Sequence, residues 1–180
     1  MAKKGTMALI ILYTAVILTS CFVQCDRFKY YDFHKISVVA MNPVIAANDS
    51  LTLKIDMPDL KFMTFNKRVS TLITSAMAQD CDKGWGGPKF PISKIEVTSD
   101  ADYSETLHAN SSLNGIIKVL NLKNDGTNEL VDLDASAGES WTWMYIKERP
   151  TISKFHKFTI RLTKSNGEVV VGNSRQIEWR

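Results

Sequence analysis

Residues 157–171 read KFTIRLTKSNGEVVV, and this stretch decides the fold class of the chain. Its first half, FTIRL, alternates apolar and polar residues, which is the period of a half-buried β-strand. Asn166-Gly167 separates it from a second strand-like run, and a two-residue hairpin turn needs positive φ at both positions. We therefore predict a C-terminal β-hairpin from about residue 155 to residue 171.

The same alternation occurs upstream in LTLKIDM, residues 51–57, and in KIEVTSD, residues 94–100. SRQIEW, residues 174–179, continues the last strand, and Asp125-Gly126 marks a further turn. About seven or eight short strands separated by turn signals predict an antiparallel β-sandwich of the immunoglobulin-like type.

Helical signals are confined to two segments. RVSTLITSAMA, residues 68–78, fits both a helical and a strand period, and its Thr and Ser content favours a strand. In SSLNGIIKVLN, residues 111–121, Ser111 or Ser112 is placed to cap a short helix, which Gly115 weakens. The apolar stripe of that helix consists of Leu113, Ile116, Ile117 and Leu120. The predicted fold is therefore mainly β, with one or two short helices.

The N-terminus, MAKKGTMALIILYTAVILTSC, has the layout of a secretory signal peptide, with a cationic start, an apolar run and small polar residues before Cys21. The run is shorter than the roughly twenty residues of a membrane-spanning helix. Leu18-Thr19-Ser20-Cys21 resembles the lipobox of bacterial lipoproteins. This resemblance implies cleavage before Cys21, a diacylglyceryl thioether on its sulfur and an acyl group such as palmitate on its amine. Two or three acyl chains give stable anchoring. The other interpretation is a plain signal peptide with an accidental cysteine.

The predicted organisation is a lipoprotein signal peptide over residues 1–20, a lipidated tether over 21–34 and a β-sandwich domain over 35–180. Cys25 and Cys81 form an even pair in an exported, disulfide-permissive chain. They either form a disulfide that joins tether to domain, or remain a free thiol and a small buried residue.

The charge balance argues against a nucleic-acid partner. The chain has 22 Lys and Arg against 19 Asp and Glu. Two of the cations, Lys3 and Lys4, precede Cys21, so 20 basic residues face 19 acidic ones after the signal peptide. No cluster of cations interleaved with aromatic residues remains, and such a cluster is what nucleic-acid binding needs.

The residues after Cys21 bear on location, again by resemblance. In many Gram-negative lipoproteins an aspartate directly after the lipidated cysteine retains the protein in the inner membrane, whereas Phe22 stands here. Surface-exported lipoproteins of the Bacteroidota carry an acidic cluster at this point, and FVQCDRFK lacks one. The expected location is the outer membrane, facing the periplasm.

The mature chain resembles a family of small uncharacterised outer-membrane lipoproteins of the Bacteroidota. The segments that carry the resemblance, besides the lipobox, are ITSAMAQDC, ISKIEVTSDADY, SSLNGIIKV and ERPTISKFHKFTIRLTKSNGEVV. They span most of residues 35–180 and imply a lipid-anchored, β-rich domain with no assigned activity. Asp49-Ser50-Leu51 also matches the short O-glycosylation pattern of that phylum, which would place a glycan on Ser50.

No residue pattern indicates catalysis, a metal or a cofactor. The histidines, His34, His108 and His156, lack metal-ligand spacing, and His156 is expected at the edge of the core. There is no G-x-S-x-G elbow and no phosphate-binding glycine loop. The acid pairs Asp100/Asp102 and Asp132/Asp134 are better explained as solvated turns than as a calcium site.

The strongest candidate binding feature is SWTWMYIK, residues 140–147, which places Trp141, Trp143 and Tyr145 on one face of a strand. If that face is exposed, it forms a ladder for sugar rings or a partner protein; if buried, it is half of the sandwich core. Trp85, in the loop CDKGWGGPKFP, is a second candidate contact residue.

Two functions are compatible with these patterns. The first is a non-catalytic binding or structural accessory module, held to the membrane by lipid and contacting an envelope protein or glycan. The alternative is an envelope hydrolase acting on glycan or peptide, with Asp100 and Asp102 in a cleft. The absence of catalytic motifs favours the first.

Overall fold

The computed structural model of the chain describes residues 28–63, 83–84, 86–122, 128–133 and 141–180. Several sequence predictions fall outside these residues. They are the signal peptide, the lipidation site Cys21, the Cys25–Cys81 pair, Trp85, residues 68–78, the Asp125-Gly126 turn and Asp134. Within the described residues, no helix has the length and apolarity to cross a membrane.

The described residues contain thirteen strands and one short 3-10 turn. In chain order the strands are β1 (Tyr30–Asp32), β2 (Ser37–Ala40), β3 (Val44–Ile45), β4 (Leu51–Asp56), β5 (Lys61–Met63), β6 (Ile92–Ser99), β7 (Ile117–Leu122), β8 (Asn128–Asp132), β9 (Trp143–Ile146), β10 (Phe155–His156), β11 (Phe158–Lys164), β12 (Val169–Asn173) and β13 (Ile177–Trp179). The 3-10 turn spans Asn114–Ile116 and directly precedes β7.

The chain divides into two compact units. The smaller comprises Met1–Tyr31 and Phe62–Lys89, and it contains most of a two-stranded sheet of β1 and β5. In its glycine-rich loop, the amide of Gly84 donates to the carbonyl of Phe28 at 2.6 Å, and that of Gly86 donates to Lys29 at 2.6 Å. The described part of the loop therefore runs beside the segment that begins at Phe28.

The larger unit comprises Asp32–Lys61 and Phe90–Arg180 and holds three sheets. Sheet A has the strand order β2-β4-β9-β7-β8, and sheet B has the order β12-β11-β6; every neighbouring pair in both is antiparallel. Sheet C has the order β10-β13-β3, of which β13 and β3 run parallel. The prediction of a mainly β chain with antiparallel sheets is confirmed.

The core is built from the strand faces that the alternation predicts. Leu51, Leu53 and Ile55 are buried along β4, and Val97 is buried on β6. On β11 the buried residues are Phe158, Ile160 and Leu162. Gly172 of β12 completes the packing, because a Cβ there would stand 2.7 Å from the Ile36 side chain. β4, β6 and β11 therefore each contribute one apolar face to the core, as burial of apolar surface requires.

The short helix predicted over residues 113–121, with its cap at Ser111 or Ser112, is wrong. A single 3-10 turn forms at Asn114–Ile116, and the chain then continues as β7, paired with β8 and β9. Ile117 and Val119 point into the core while Lys118 between them is exposed. β-Branched residues suit a strand, and pairing on both sides of β7 outweighs the weak helical stripe.

The C-terminal hairpin is confirmed, but the predicted two-residue turn is wrong. Only Gly167, at φ 85°, has positive φ in the loop. Its amide donates to the carbonyl of Lys164 at 2.9 Å, and the Lys164 amide donates to Glu168 at 2.8 Å. This is a three-residue loop ending in a left-handed glycine bulge. Asn166 instead accepts from the Glu168 amide through Oδ1 at 3.1 Å, as Asn does in turns.

The last residues of the predicted tether belong to the folded part of the chain. Residues 30–32 form β1, and Asp32 and Phe33 are buried. The Phe33 ring lies against Trp141, with 5.8 Å between the ring centroids. Asp32 and Phe33 therefore belong to the larger unit.

Candidate functional site

The aromatic strand predicted from SWTWMYIK divides its rings between the core and the surface. In β9, Met144 and Ile146 are buried, while Trp143 and Tyr145 lie on the opposite face of sheet A and are partly exposed. Trp141 precedes the strand in a turn and is 2% exposed. Trp141 is therefore a core residue, and the two other rings are available at the surface.

Side chains from the neighbouring strands frame these two rings. Trp143 is opposite Lys54 of β4, and Tyr145 lies between Thr52 of β4 and Lys118 of β7. Residues directly opposite each other on one sheet face have Cβ atoms about 5 Å apart. We call these five residues the aromatic face; they form one continuous surface over the three central strands of sheet A.

The charges on the aromatic face are paired. Lys54 Nζ lies 5.8 Å from the centre of the Trp143 ring, within cation–π range, and 2.8 Å from Asp56 Oδ1. Lys118 forms an ion pair with Asp132 of β8 on the same face. Each cation thus has a carboxylate partner, so the face presents hydrogen-bonding groups without an excess of either charge.

Exposed apolar residues border the aromatic face on both edges of sheet A. On the β2 side, Val39 is opposite Lys54, and the Met41 amide donates to the carbonyl of Thr52 at 3.0 Å. On the β8 side, Leu130 is opposite Leu120. Val39, Met41 and Leu130 are 40%, 52% and 52% exposed. The aromatic face and its apolar borders together present aromatic, apolar and polar groups over the full width of sheet A.

Ser99 and His156 are residue types that often act in catalysis, and they form a second cluster. Both are buried, so they cannot reach a substrate. His156 Nδ1 lies 2.7 Å from Ser99 Oγ, and Nε2 lies 2.9 Å from the Ser153 carbonyl. Because that carbonyl only accepts, Nε2 carries the proton and Ser99 donates to Nδ1. His156 and Ser99 are both buried, and Tyr103 covers the imidazole at 5.1 Å between centroids. This Ser-His pair is a structural element of the core.

Burial lowers the pKa of His156 below its usual 6.5, although the Ser153 carbonyl opposes that shift. Above 6.5 the imidazole is neutral in both the folded and the unfolded chain, and folding keeps its full stability. As the pH falls from 6.5 through the folded-state pKa, the unfolded chain binds the proton more readily, so stability is lost. We expect urea unfolding midpoints to drop between about pH 7 and pH 5, with a smaller drop in His156→Gln. An equal drop in both proteins would contradict this assignment.

The other candidate residues from the sequence either accept hydrogen bonds from main-chain amides or are exposed to solvent. Asp100 Oδ1 accepts the Lys157 amide at 2.7 Å, and Asp102 Oδ1 accepts the Ala109 amide at 2.7 Å. His108 is exposed, 3.8 Å from Asp102. Ser50 is exposed just before β4. Among the residues that the structure describes, no group of His, Cys, Asp and Glu could hold a metal ion.

The sequence analysis missed a buried ionic cluster at the end of β11. The Lys164 side chain is 0% exposed, and its Nζ lies 2.7 Å from Asp32 Oδ1 and 3.1 Å from Glu168 Oε2. His34, although exposed, places Nδ1 2.7 Å from Glu168 Oε1. The signal was present, since Lys164 continues the alternation of FTIRL onto the core face. A lysine at such a position is uncommon, because lysine is rarely fully buried unless it is paired.

Neither a protein-family model, nor a curated protein, nor a solved structure matches the chain. A functional assignment must therefore be argued from the residues of the aromatic face and of the buried cluster.

Proposed function

We propose that this chain is a non-catalytic binding module of the cell envelope, and that its aromatic face binds a neutral glycan. The observation that carries the proposal is the partial exposure of Trp143 and Tyr145 on one face of sheet A. Aromatic side chains dominate binding hot spots, because they offer large, rigid apolar area together with a polar edge.

The chemistry around the rings favours a sugar over other ligands. The apolar C–H face of a sugar ring stacks on an aromatic ring, and its hydroxyls need donors and acceptors at the rim. Thr52 and Lys118 flank Tyr145, and Asp132 is paired with Lys118, so both kinds of group are present near the ring. Because Lys54 and Lys118 are each paired with a carboxylate, an anionic ligand gains little attraction here.

For the larger unit we propose an immunoglobulin-like β-sandwich. Sheets A and B each have one buried and one solvent-facing side, which is the pattern that a two-layer sandwich requires. The pairing of β11 with both β6 and β12, beside a separate sheet that contains β2, β4 and β9, is compatible with that topology.

The membrane attachment is proposed from the sequence. The lipobox at Leu18-Thr19-Ser20-Cys21 supports lipidation of Cys21, and Phe22 supports an outer-membrane location facing the periplasm. Membership of the Bacteroidota lipoprotein family is part of the same proposal. Intact mass of the membrane-extracted protein tests it: a chain of residues 21–180 carrying a diacylglyceryl and an acyl group is expected. An unlipidated mass would overturn it.

We expect Trp143→Ala with Tyr145→Ala to weaken glycan binding by roughly thirtyfold, or about 2 kcal/mol, as for loss of a binding hot spot. Full-length protein is screened on an array of neutral and acidic glycans, and hits are titrated by calorimetry. Phe155→Ala is the matched control, since Phe155 is 50% exposed but lies on sheet C. Absence of any neutral glycan ligand, or equal binding by the double variant, would refute the proposal.

A further inference from the structure

Lys164 is a buried amine with three oxygen neighbours. Its Nζ donates to Asp32 Oδ1 at 2.7 Å, to Glu168 Oε2 at 3.1 Å and to the main-chain carbonyl of Phe33. The Phe33 ring covers it, with 4.6 Å between Nζ and the ring centroid. The Lys164 and Asp32 side chains are 0% and 9% exposed. A fully buried amine is thus held against a carboxyl group that is almost fully buried.

This burial separates the pair from two other Lys–Asp pairs among the described residues of the larger unit. Lys54–Asp56 has a similar distance, 2.8 Å, but its side chains are 39% and 46% exposed. Lys118 and Asp132 are 45% and 60% exposed. In water an amine and a carboxylate remain an ion pair, because solvation stabilises both charges. In a buried site that solvation is reduced, which lowers the cost of the proton transfer that condensation needs.

We propose that Lys164 and Asp32 condense to form an intramolecular isopeptide bond, with Glu168 as the proton carrier. Oδ1 is bonded directly to Cγ, so the 2.7 Å contact brings Nζ close to the carbon that it attacks. Because the fold holds the two side chains at this distance, the condensation is an intramolecular step and does not depend on a bimolecular encounter.

The step balances without any further reactant. A proton passes from the Lys164 ammonium to Asp32 Oδ2, which leaves a neutral amine and a neutral acid. Nζ then forms a bond to Cγ, and the electron pair of the C=O moves to Oδ1. Glu168 takes a second proton from Nζ and passes it to Oδ2. The Cγ–Oδ2 bond breaks, water leaves, and an amide between Nζ and Cγ remains.

The surrounding groups suit these roles. The Phe33 amide donates to Asp32 Oδ1 at 2.9 Å, so it stabilises negative charge that develops there. Hydrogen bonds from His34 and then from Lys164 hold the pKa of Glu168 below its usual range. Glu168 is therefore ionised at neutral pH and able to accept a proton. It immediately precedes β12, four residues after Lys164, in the hairpin whose loop contains Gly167.

The bond would join the end of β1 to the C-terminal hairpin. Asp32 and Lys164 are 132 positions apart. A covalent link over such a distance restricts the unfolded chain strongly by the loop-entropy model. It would also make that connection independent of disulfide chemistry.

The test is peptide mapping of the full-length folded protein after denaturation, reduction and proteolysis. We expect a branched peptide that joins the Asp32 segment to the Lys164 segment, lighter by one water than the two linear peptides together. The peptides that contain Lys118 and Asp132 serve as an internal control and should remain linear. Recovery of the Asp32 and Lys164 segments only as linear peptides, from protein shown to be folded by circular dichroism, would overturn the proposal.

Two variants separate chemistry from folding. Lys164→Arg retains a cation but offers no comparable nucleophile, so the branched peptide should be absent. Glu168→Gln keeps the size of the side chain but cannot carry the proton, and we expect condensation in freshly synthesised protein to slow about a hundredfold. Full cross-linking of Glu168→Gln at the wild-type rate would exclude the proposed role of Glu168. A branched peptide in Lys164→Arg would exclude Lys164 as the nucleophile.

Discussion

Lys164→Ala is expected to lower the free energy of unfolding by about 3 to 5 kcal/mol, the cost of leaving a buried charge without its partner. Among the described contacts of Asp32, Lys164 is the only side chain of opposite charge, and the substitution removes it. Asp32 itself stays buried. It also leaves the Phe33 carbonyl without the donor that Lys164 provides. Loss of an isopeptide bond would add to this figure. Urea unfolding monitored by circular dichroism measures the change.

Lys118→Ala is the matched control. It removes a lysine from another Lys–Asp pair, but both partners there are exposed, so the loss should stay within about 1 kcal/mol. A second comparison is Lys164→Met combined with Asp32→Leu, which replaces both buried partners by apolar groups. Such replacements are often close to neutral, so the double variant should be clearly more stable than Lys164→Ala. A Lys164→Ala loss as small as that of Lys118→Ala would contradict the buried cluster.

The strands could be predicted where burial on one face imposes a period of two. β4 and β11 alternate along their whole length, and β6 does so from Lys94 onward. β7 could not be predicted, because Leu113, Ile116 and Ile117 also fit a helical stripe. Its strand state depends on pairing with β9, which is more than 20 residues further along the chain. A local pattern does not contain that information.

The sequence identifies the residues of the candidate site, but it does not show whether their side chains are exposed. Alternation in β9 identifies Trp143 and Tyr145 as neighbours on one face, yet the choice between core and solvent depends on the partners. Those partners, Lys54 and Lys118, come from distant strands and place charge on that face. The Asp32–Lys164 contact was beyond sequence reasoning for the same reason, since nothing local relates the two positions.

Trp141→Ala and Trp143→Ala are expected to differ sharply in stability, although the two residues are two positions apart. Trp141 is 2% exposed and packs on Phe33, so its truncation leaves a cavity and should cost about 3 to 5 kcal/mol. Trp143 lies on the outer face of sheet A, where truncation opens no cavity, and its cost should be below about 1 kcal/mol. Urea unfolding of both variants measures the two changes.

The contrast also decides between the two states that the sequence left open for this strand. If the outer face of sheet A were part of the core, Trp143→Ala would be as destabilising as Trp141→Ala, and a glycan could not reach either ring. If Trp143→Ala is stable and loses glycan binding while Trp141→Ala mainly loses stability, then a core residue and a contact residue lie two positions apart in this segment. If Trp143→Ala is stable and still binds glycan, the result would support the fold assignment. It would also refute the proposal that the aromatic face is the binding surface.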